Sequence, residues 1–352
     1  MVNRMRKTLT AEDVFATGMR DQWHAVCPSH FVERGAMRRI TRLGEDWLLF
    51  RQSNGTVRML ADRCPHRGAP LSQGQHLGDR IACQYHGVQV DGTGKVLSVP
   101  GMPGCNLEGK HLVTSLPTTE VGGAILAWFG TDPDSEPAPL QLPDPLQDEE
   151  ISSFLCYAEW KTPWRFTLEN LLDPMHGAFL HRESHSMSGG AQSARFRIRE
   201  TDRGFFFEKT DQRGVNFDWV EFCSTGVDWV DLEIPYPTSA GPGGPFGIVG
   251  MGTPIDAQTT AVFFWRYRKV SGWQRDVWRF LYRTTLEQRH WRVLEQDRAM
   301  LEAMAPDADQ AENLYQHDLG VIRLRRLYKA KAEEQAEQMS AAQHDNKVPA
   351  RV

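Results

Sequence analysis

The chain sets Cys64-Pro65-His66 and Cys83-Gln84-Tyr85-His86 sixteen residues apart, and this doubled Cys/His motif constrains the fold more than any other feature. Four such ligands on two loops bind either one tetrahedral zinc or a two-iron, two-sulfide cluster. Both require two turns held face to face on a rigid base. The common zinc pattern keeps like ligands together, a cysteine pair followed by a histidine pair. Here each loop supplies one thiolate and one imidazole. That order suits a cluster in which each loop sends its Cys to one iron and its His to the other, so that two neutral imidazoles on one iron raise the reduction potential. A zinc-stabilised loop pair, which would contain no acid-labile sulfide, is the rival reading.

The surroundings read as a small all-β unit. Residues 38–43, 46–51 and 56–60 have strand character around an Asn54-Gly55 hairpin turn, and residues 87–90 and 95–98 flank Asp91-Gly92-Thr93-Gly94. Residues 131–150 carry five prolines and little periodic hydrophobicity, the signature of a connector. A first domain over 20–135 and a second over 150–340 follow. The second opens with helical character over 167–181. Strands are expected at 194–198, 204–209, 217–222, 229–234, 246–250 and 260–267, and long helices over 273–304 and 310–339. This is α+β, an antiparallel sheet covered by helices. The polar tail after Ser340 is expected to be disordered.

A second constellation lies in the first of those helices, Glu169-Asn170-Leu171-Leu172-Asp173-Pro174-Met175-His176-Gly177-Ala178-Phe179-Leu180-His181. His176 and His181 are five apart, about 140° around an ideal helix at roughly 100° per residue. Pro174 removes a backbone donor and Gly177 tolerates unusual angles, so a kink or π-bulge can bring the two rings together. A carboxylate would complete the two-histidine facial site of non-haem Fe(II) oxygenases. Asp297 fits, because Leu294, Asp297, Met300 or Leu301, and Met304 share a helical face, and a carboxylate in an apolar stripe needs a partner. Glu295 projects away from that face. Singly, these residues read as core histidines and a capping or Arg-paired Asp; together, downstream of the first motif, they read as a metal site.

With both motifs in view, residues from about Trp23 to Leu301 resemble the α subunit of Rieske ring-hydroxylating oxygenases, especially the compact α-only branch of carbazole-type and phenoxybenzoate-type dioxygenases and O-demethylases. Cys64-Pro65-His66-Arg67-Gly68-Ala69-Pro70-Leu71 and Cys83-Gln84-Tyr85-His86-Gly87 carry the resemblance, with Val88 where many members have Trp. Asn170, Asp173, His176 and His181 match the family's N-x2-D-x2-H-x4-H signature, and Asp297 its C-terminal carboxylate. The resemblance implies a Rieske [2Fe-2S] β-domain joined to a helix-grip catalytic domain with mononuclear Fe(II). It further implies a head-to-tail homotrimer in which His86 of one subunit reaches Asp173 of the next, Asp173 contacting His176 as a bridge and not a ligand.

Function classes narrow accordingly. A net charge of -5 with interspersed signs gives no nucleic-acid or membrane partner, and no apolar run approaches a membrane span. Met1–Thr10 lacks the apolar stretch of a secretory signal, and the six cysteines form no disulfide framework, so a cytoplasmic protein is expected. The only glycine-rich run, residues 241–247, is a proline-containing turn, so flavin and NAD(P)H sites belong to a separate reductase, directly or through a ferredoxin. Arg63, Arg67 and Arg80 are candidates for its docking surface. Aromatic strands suggest an apolar pocket for a small aromatic substrate lined by Phe206, Trp219, Phe222, Ile248, Phe263 and Trp265, with residues 184–192 as a mobile cover. Ring dihydroxylation, O- or N-demethylation, and a plain Rieske electron carrier are the competing activities.

Overall fold

Short strands punctuated by glycine turns build the first third of the chain. The computed structural model describes residues 10–132, 135–183, 193–214, 217–236, 244–305 and 307–345. A capped helix α1 (Ala11–Thr17) precedes eleven strands: β1 (Gln22–Pro28), β2 (Met37–Arg42), β3 (Glu45–Arg51), β4 (Val57–Ala61), β5 (Gln75–His76), β6 (Arg80–Ala82), β7 (Gln89–Asp91), β8 (Val96–Ser98), β9 (Ser115–Leu116), β10 (Thr118–Val121) and β11 (Ala124–Phe129). They form antiparallel sheets ordered β1-β11-β10, β2-β3-β4-β9 and β5-β6-β7-β8. Leu48, Phe50, Leu60, Leu71, Ile81, Val90 and Val96 pack into one cluster with Cys64 and Cys83. The two cysteine loops therefore stand on a shared apolar base.

Residues 135–150 are irregular apart from a short 3-10 turn at Asp144–Leu146, yet they are firmly held. The indole N–H of Trp23 donates to the Ala138 carbonyl at 2.8 Å and that of Trp229 to the Gln141 carbonyl at 3.1 Å. Leu142 is buried among Trp23, Trp128, Trp229, Phe263 and Trp265. The low hydrophobic periodicity of this stretch is compensated by tryptophans from both flanking regions, whose buried N–H groups need acceptors.

The remainder is one large sheet with helices on its inner face. It comprises β12 (Ile151–Trp160), α2 (Trp164–Leu172), α3 (His176–Leu180), β13 (Phe196–Glu200), β14 (Gly204–Lys209), β15 (Trp219–Ser224), β16 (Asp228–Ile234), β17 (Phe246–Asp256), β18 (Thr259–Lys269), α4 (Gly272–Leu281), α5 (Glu287–Glu302), α6 (Ala308–Ala311) and α7 (Leu319–Asp345). The strand order is β12-β18-β17-β16-β15-β14-β13, antiparallel throughout. Alternation sends Val262 and Phe264 of β18 into the helix-covered core and Phe263 and Trp265 into the cluster shared with β1 and β11. Among the described residues, no helix is long and apolar enough to cross a membrane.

Three helix expectations are corrected. The single kinked helix over 167–181 is two helices, because Pro174 holds Asp173 in an extended conformation (φ -88°, ψ 108°) that ends α2. The helix over 273–304 is interrupted by a π-helical turn at Tyr282–Leu286. The last helix starts only at Leu319 and runs to Asp345, so residues 341–345 are helical instead of disordered. Its inner face buries Leu324, Tyr328 and Ala332, which supplies the packing a polar tail lacks.

Helix α2 lies close on β17. A Cβ built on Gly250 would come within 2.6 Å of Leu171 Cδ1, so only glycine admits the helix at this depth. Buried Glu169 of α2 also takes two hydrogen bonds from Arg325 of α7, at 2.6 and 2.7 Å. Gly250→Val is expected to lower stability by about 1–3 kcal/mol in chemical denaturation and to displace α2, with the metal-binding capacity of the adjoining His176 and His181 falling before acid-labile sulfide is lost.

Candidate metal centres

The two cysteine loops are the same turn made twice. Cys64 N–H donates to the Ala69 carbonyl at 2.8 Å and Gly68 N–H to the Cys64 carbonyl at 2.9 Å; Cys83 N–H donates to the Val88 carbonyl at 2.8 Å and Gly87 N–H to the Cys83 carbonyl at 2.9 Å. Gly68 and Gly87 close these turns at φ 78° and 72°, the left-handed region that favours glycine. Cys64 and Cys83 are buried, whereas His66 and His86 are exposed with ring centroids 4.6 Å apart. Burial pushes the Cys64 thiol up, while the backbone N–H groups of His66 and Arg67 point at its sulfur and oppose the shift. Val88 is fully buried in the cluster under the loops.

This arrangement fits a cluster better than a single ion. Among the described residues, only His176, His181 and Asp297 bring three or more ligand atoms of His, Cys, Asp or Glu within 4.8 Å of one another. A zinc with bonds of about 2.0–2.3 Å would draw Cys64, His66, Cys83 and His86 into such a group; two metals spread them. Arg63, Arg67 and Arg80 are all exposed, with Arg67 5.6 Å from the centre of the Tyr85 ring.

The second centre forms where the helix breaks. His176 opens α3 and His181 caps its end, 5.1 Å apart between ring centroids. The Asp173 carbonyl accepts a hydrogen bond from His176 Nδ1 at 2.6 Å, and Gln296 Oε1 accepts one from His181 Nδ1 at 2.9 Å. Both imidazoles are thereby fixed with Nε2 free to ligate. Asp297 Oδ1 lies 3.1 Å from His181 Nε2 and 3.5 Å from His176 Nε2. Neither contact is aligned as a hydrogen bond, so Oδ1 is a buried acceptor with no donor. Two ring nitrogens and a carboxylate oxygen that converge without satisfying one another are a fit for a metal cation. Burial works to lower the His181 pKa, but the Asp297 carboxylate and Gln296 outweigh it and hold the pKa above the usual value.

Several expectations for this region need adjusting. Leu294, Asp297 and Leu301 form the buried face of α5, while Met300 and Met304 are exposed. Glu295 is exposed and paired with Arg298. Asp173 touches His176 mainly through its backbone; its Oδ1 accepts from Met175 N–H at 2.7 Å, and its Oδ2 is 3.8 Å from His176 Nδ1. Asn170 lines the cavity beside the histidines. Gln296, which orients His181, escaped the sequence reading because it lies next to Asp297 without a motif of its own.

Beside the three ligands is a pocket of about 630 Å³ including its open mouth, walled chiefly by Phe217, Leu232, Ile234, Phe246, Ile248 and Phe264. Of the expected lining residues only Ile248 belongs to it. Phe263 and Trp265 face the opposite side of the sheet, Phe222 sits in the core against Tyr328, and Phe206 packs with Trp219 on the outer surface of β14 and β15. Phe222 lies on the inner face but beneath α7, away from the pocket; the other misses are a matter of strand parity, since Phe264 and Phe263 are equally aromatic but point to opposite faces. The expected cover at 184–192 lies outside the described residues, as do residues 241–243 of the expected turn.

Comparison with known proteins finds relatives for both halves of the chain. Residues 22–117 match the Rieske [2Fe-2S] domain and residues 160–334 the vanillate O-demethylase oxygenase C-terminal domain. The chain is 25% identical to the phthalate 4,5-dioxygenase oxygenase subunit of Pseudomonas putida, over 95% of this chain and 86% of that one. It is 34% identical to chlorophyllide a oxygenase of Chlamydomonas reinhardtii, over 47% of this chain but only 25% of that protein. Several other relatives are matched over half their own length or less. A carbazole-bound oxygenase in complex with ferredoxin, from carbazole 1,9a-dioxygenase, shares the fold with a TM-score of 0.77 at 19% identity, over 94% of this chain and 95% of that one.

Replacing the acceptor on His181 tests the second centre. Gln296→Leu is expected to weaken iron binding about 10–100-fold in a metal titration while leaving the cluster absorbance unchanged. Asp297→Ala is expected to abolish iron binding there with the sulfide content intact.

Proposed function

The chain belongs to the Rieske non-haem iron oxygenases, and we propose that it is the terminal component of a multicomponent system, hydroxylating a small aromatic compound with O2 and electrons relayed from NAD(P)H by a separate reductase. The observation that carries this reading is the convergence of His176, His181 and Asp297 at the wall of a mostly apolar pocket. An electron carrier alone has no use for such a site.

In this reading, residues 20–135 form the cluster domain and 150–340 the catalytic domain. Cys64, His66, Cys83 and His86 hold the [2Fe-2S] cluster, and His176, His181 and Asp297 hold the mononuclear iron. When bound, these groups supply stored electrons and the activation of O2. The protein's own part is positioning. The Asp173 carbonyl and Gln296 fix the two imidazoles, the apolar wall excludes water, and Asn170 offers a polar contact at the edge of the pocket.

The exposed His66 and His86 suit electron entry from a ferredoxin, in keeping with the ferredoxin complex of the carbazole enzyme. We place the chain in a head-to-tail homotrimer. The partly exposed Asp173 carboxylate then meets His86 of the partner subunit while its backbone holds His176, so one residue joins the two centres. O-Demethylation is the second reading, supported by the match of residues 160–334 to the vanillate O-demethylase family.

Turnover in isotopically heavy O2 with simple arenes and aryl methyl ethers separates the two. Two heavy oxygens in one product indicate dihydroxylation, one heavy oxygen or formaldehyde release indicates monooxygenation, and no labelled product contradicts the oxygenase reading. Asp173→Asn is expected to retain both metal centres but lose most product formation; full activity with intact metal content contradicts the bridging role.

A further inference from the structure

Arg266 is 2% exposed, sits on β18, and lines the same pocket as His176, His181 and Asp297. Its Nη1 donates to the Tyr282 hydroxyl at 3.1 Å and its guanidinium lies 5.9 Å from the Trp291 ring centre. Both partners are neutral. Among the described residues no carboxylate lies within ion-pair distance of it. The chain's other buried guanidinium, Arg42, is bonded to two backbone carbonyls and Tyr157 with Glu159 at 3.9 Å, and even the half-buried Arg325 is clamped by Glu169 and Glu312. A buried charge without a counter-ion is costly.

A second polar group in the same pocket is also unsatisfied. His290 Nδ1 is buried with no hydrogen-bond partner, and its ring lies 4.6 Å from Phe246. Burial, then the nearby Arg266 and Arg289, push its pKa down to about 3, so it is a neutral ring able to donate one N–H. Cation and donor thus share a chamber whose walls beyond Asn170 and the three proposed ligands are mostly apolar.

Resting on the oxygenase reading above, we infer that Arg266 anchors the carboxylate of an anionic aromatic substrate, with His290 as a supplementary donor. The planar guanidinium matches a carboxylate in a two-point pairing that a neutral substrate cannot make. The substrate class is therefore an aromatic acid, its ring held between the apolar walls.

The test is binding without turnover. The iron-loaded protein, kept anaerobic and without reductase, is titrated calorimetrically with benzoate, phthalate and 4-methoxybenzoate, each against its amide. At least one acid is expected to bind about 10–100-fold more tightly than its amide. Arg266→Gln is expected to bring acid and amide within roughly twofold, Arg266→Lys to keep part of the preference, and Tyr282→Phe to keep all of it. Circular dichroism and iron content identify any variant that fails to fold, and the wild-type comparison decides the matter without one. If no acid outbinds its amide in the wild type, or if the preference survives in folded Arg266→Gln, the anchor is overturned. Acid preference without heavy-oxygen incorporation would defeat only the oxygenase reading, and incorporation into neutral arenes without acid preference only the anchor.

Discussion

Asp297 holds a carboxylate oxygen, without an aligned hydrogen-bond donor, 3.1 Å from one imidazole nitrogen and 3.5 Å from another. Inside a wall of buried side chains such an atom favours a cation beside it. Much of the catalytic half is arranged to bring these three groups together. Pro174 ends α2 and lets α3 restart at His176, the Gly250 notch seats α2 on β17, and the π-helical turn at Tyr282–Leu286 precedes the helix whose inner face carries His290, Leu294 and Asp297.

The large sheet has two buried faces with different duties. Its inner face carries the pocket and helices, whereas Phe263, Trp265 and Tyr267 on the outer face pack with Trp23, Leu126 and Trp128 of the first sheet. The Trp265 indole also donates to the Gly122 carbonyl at 2.7 Å. The first sheet of the β-domain and the large sheet are thus joined through an aromatic layer.

The features readable in the sequence were those fixed by short-range chemistry. The Cys/His order of the two loops follows from ligand needs, and His176 and His181 were legible because Pro174 and Gly177 visibly disrupt an ideal helix. What stayed hidden depended on tertiary placement. Phe263 and Phe264 are chemically alike, and only the register of β18 tells which one meets the pocket. Met300 and Leu301 both suit an apolar stripe, and the rotation of α5 chooses Leu301. Gln296 and Arg266 carry no local pattern; their roles arise from what lies across from them.

In this reading one chain carries two separate metal centres, a two-iron cluster and a single iron at the broken helix. Metal and acid-labile sulfide analysis of the pure, iron-reconstituted protein addresses it most directly. About three irons and two sulfides per chain are expected. Zinc without sulfide, or two irons for two sulfides with no further iron bound, would contradict it.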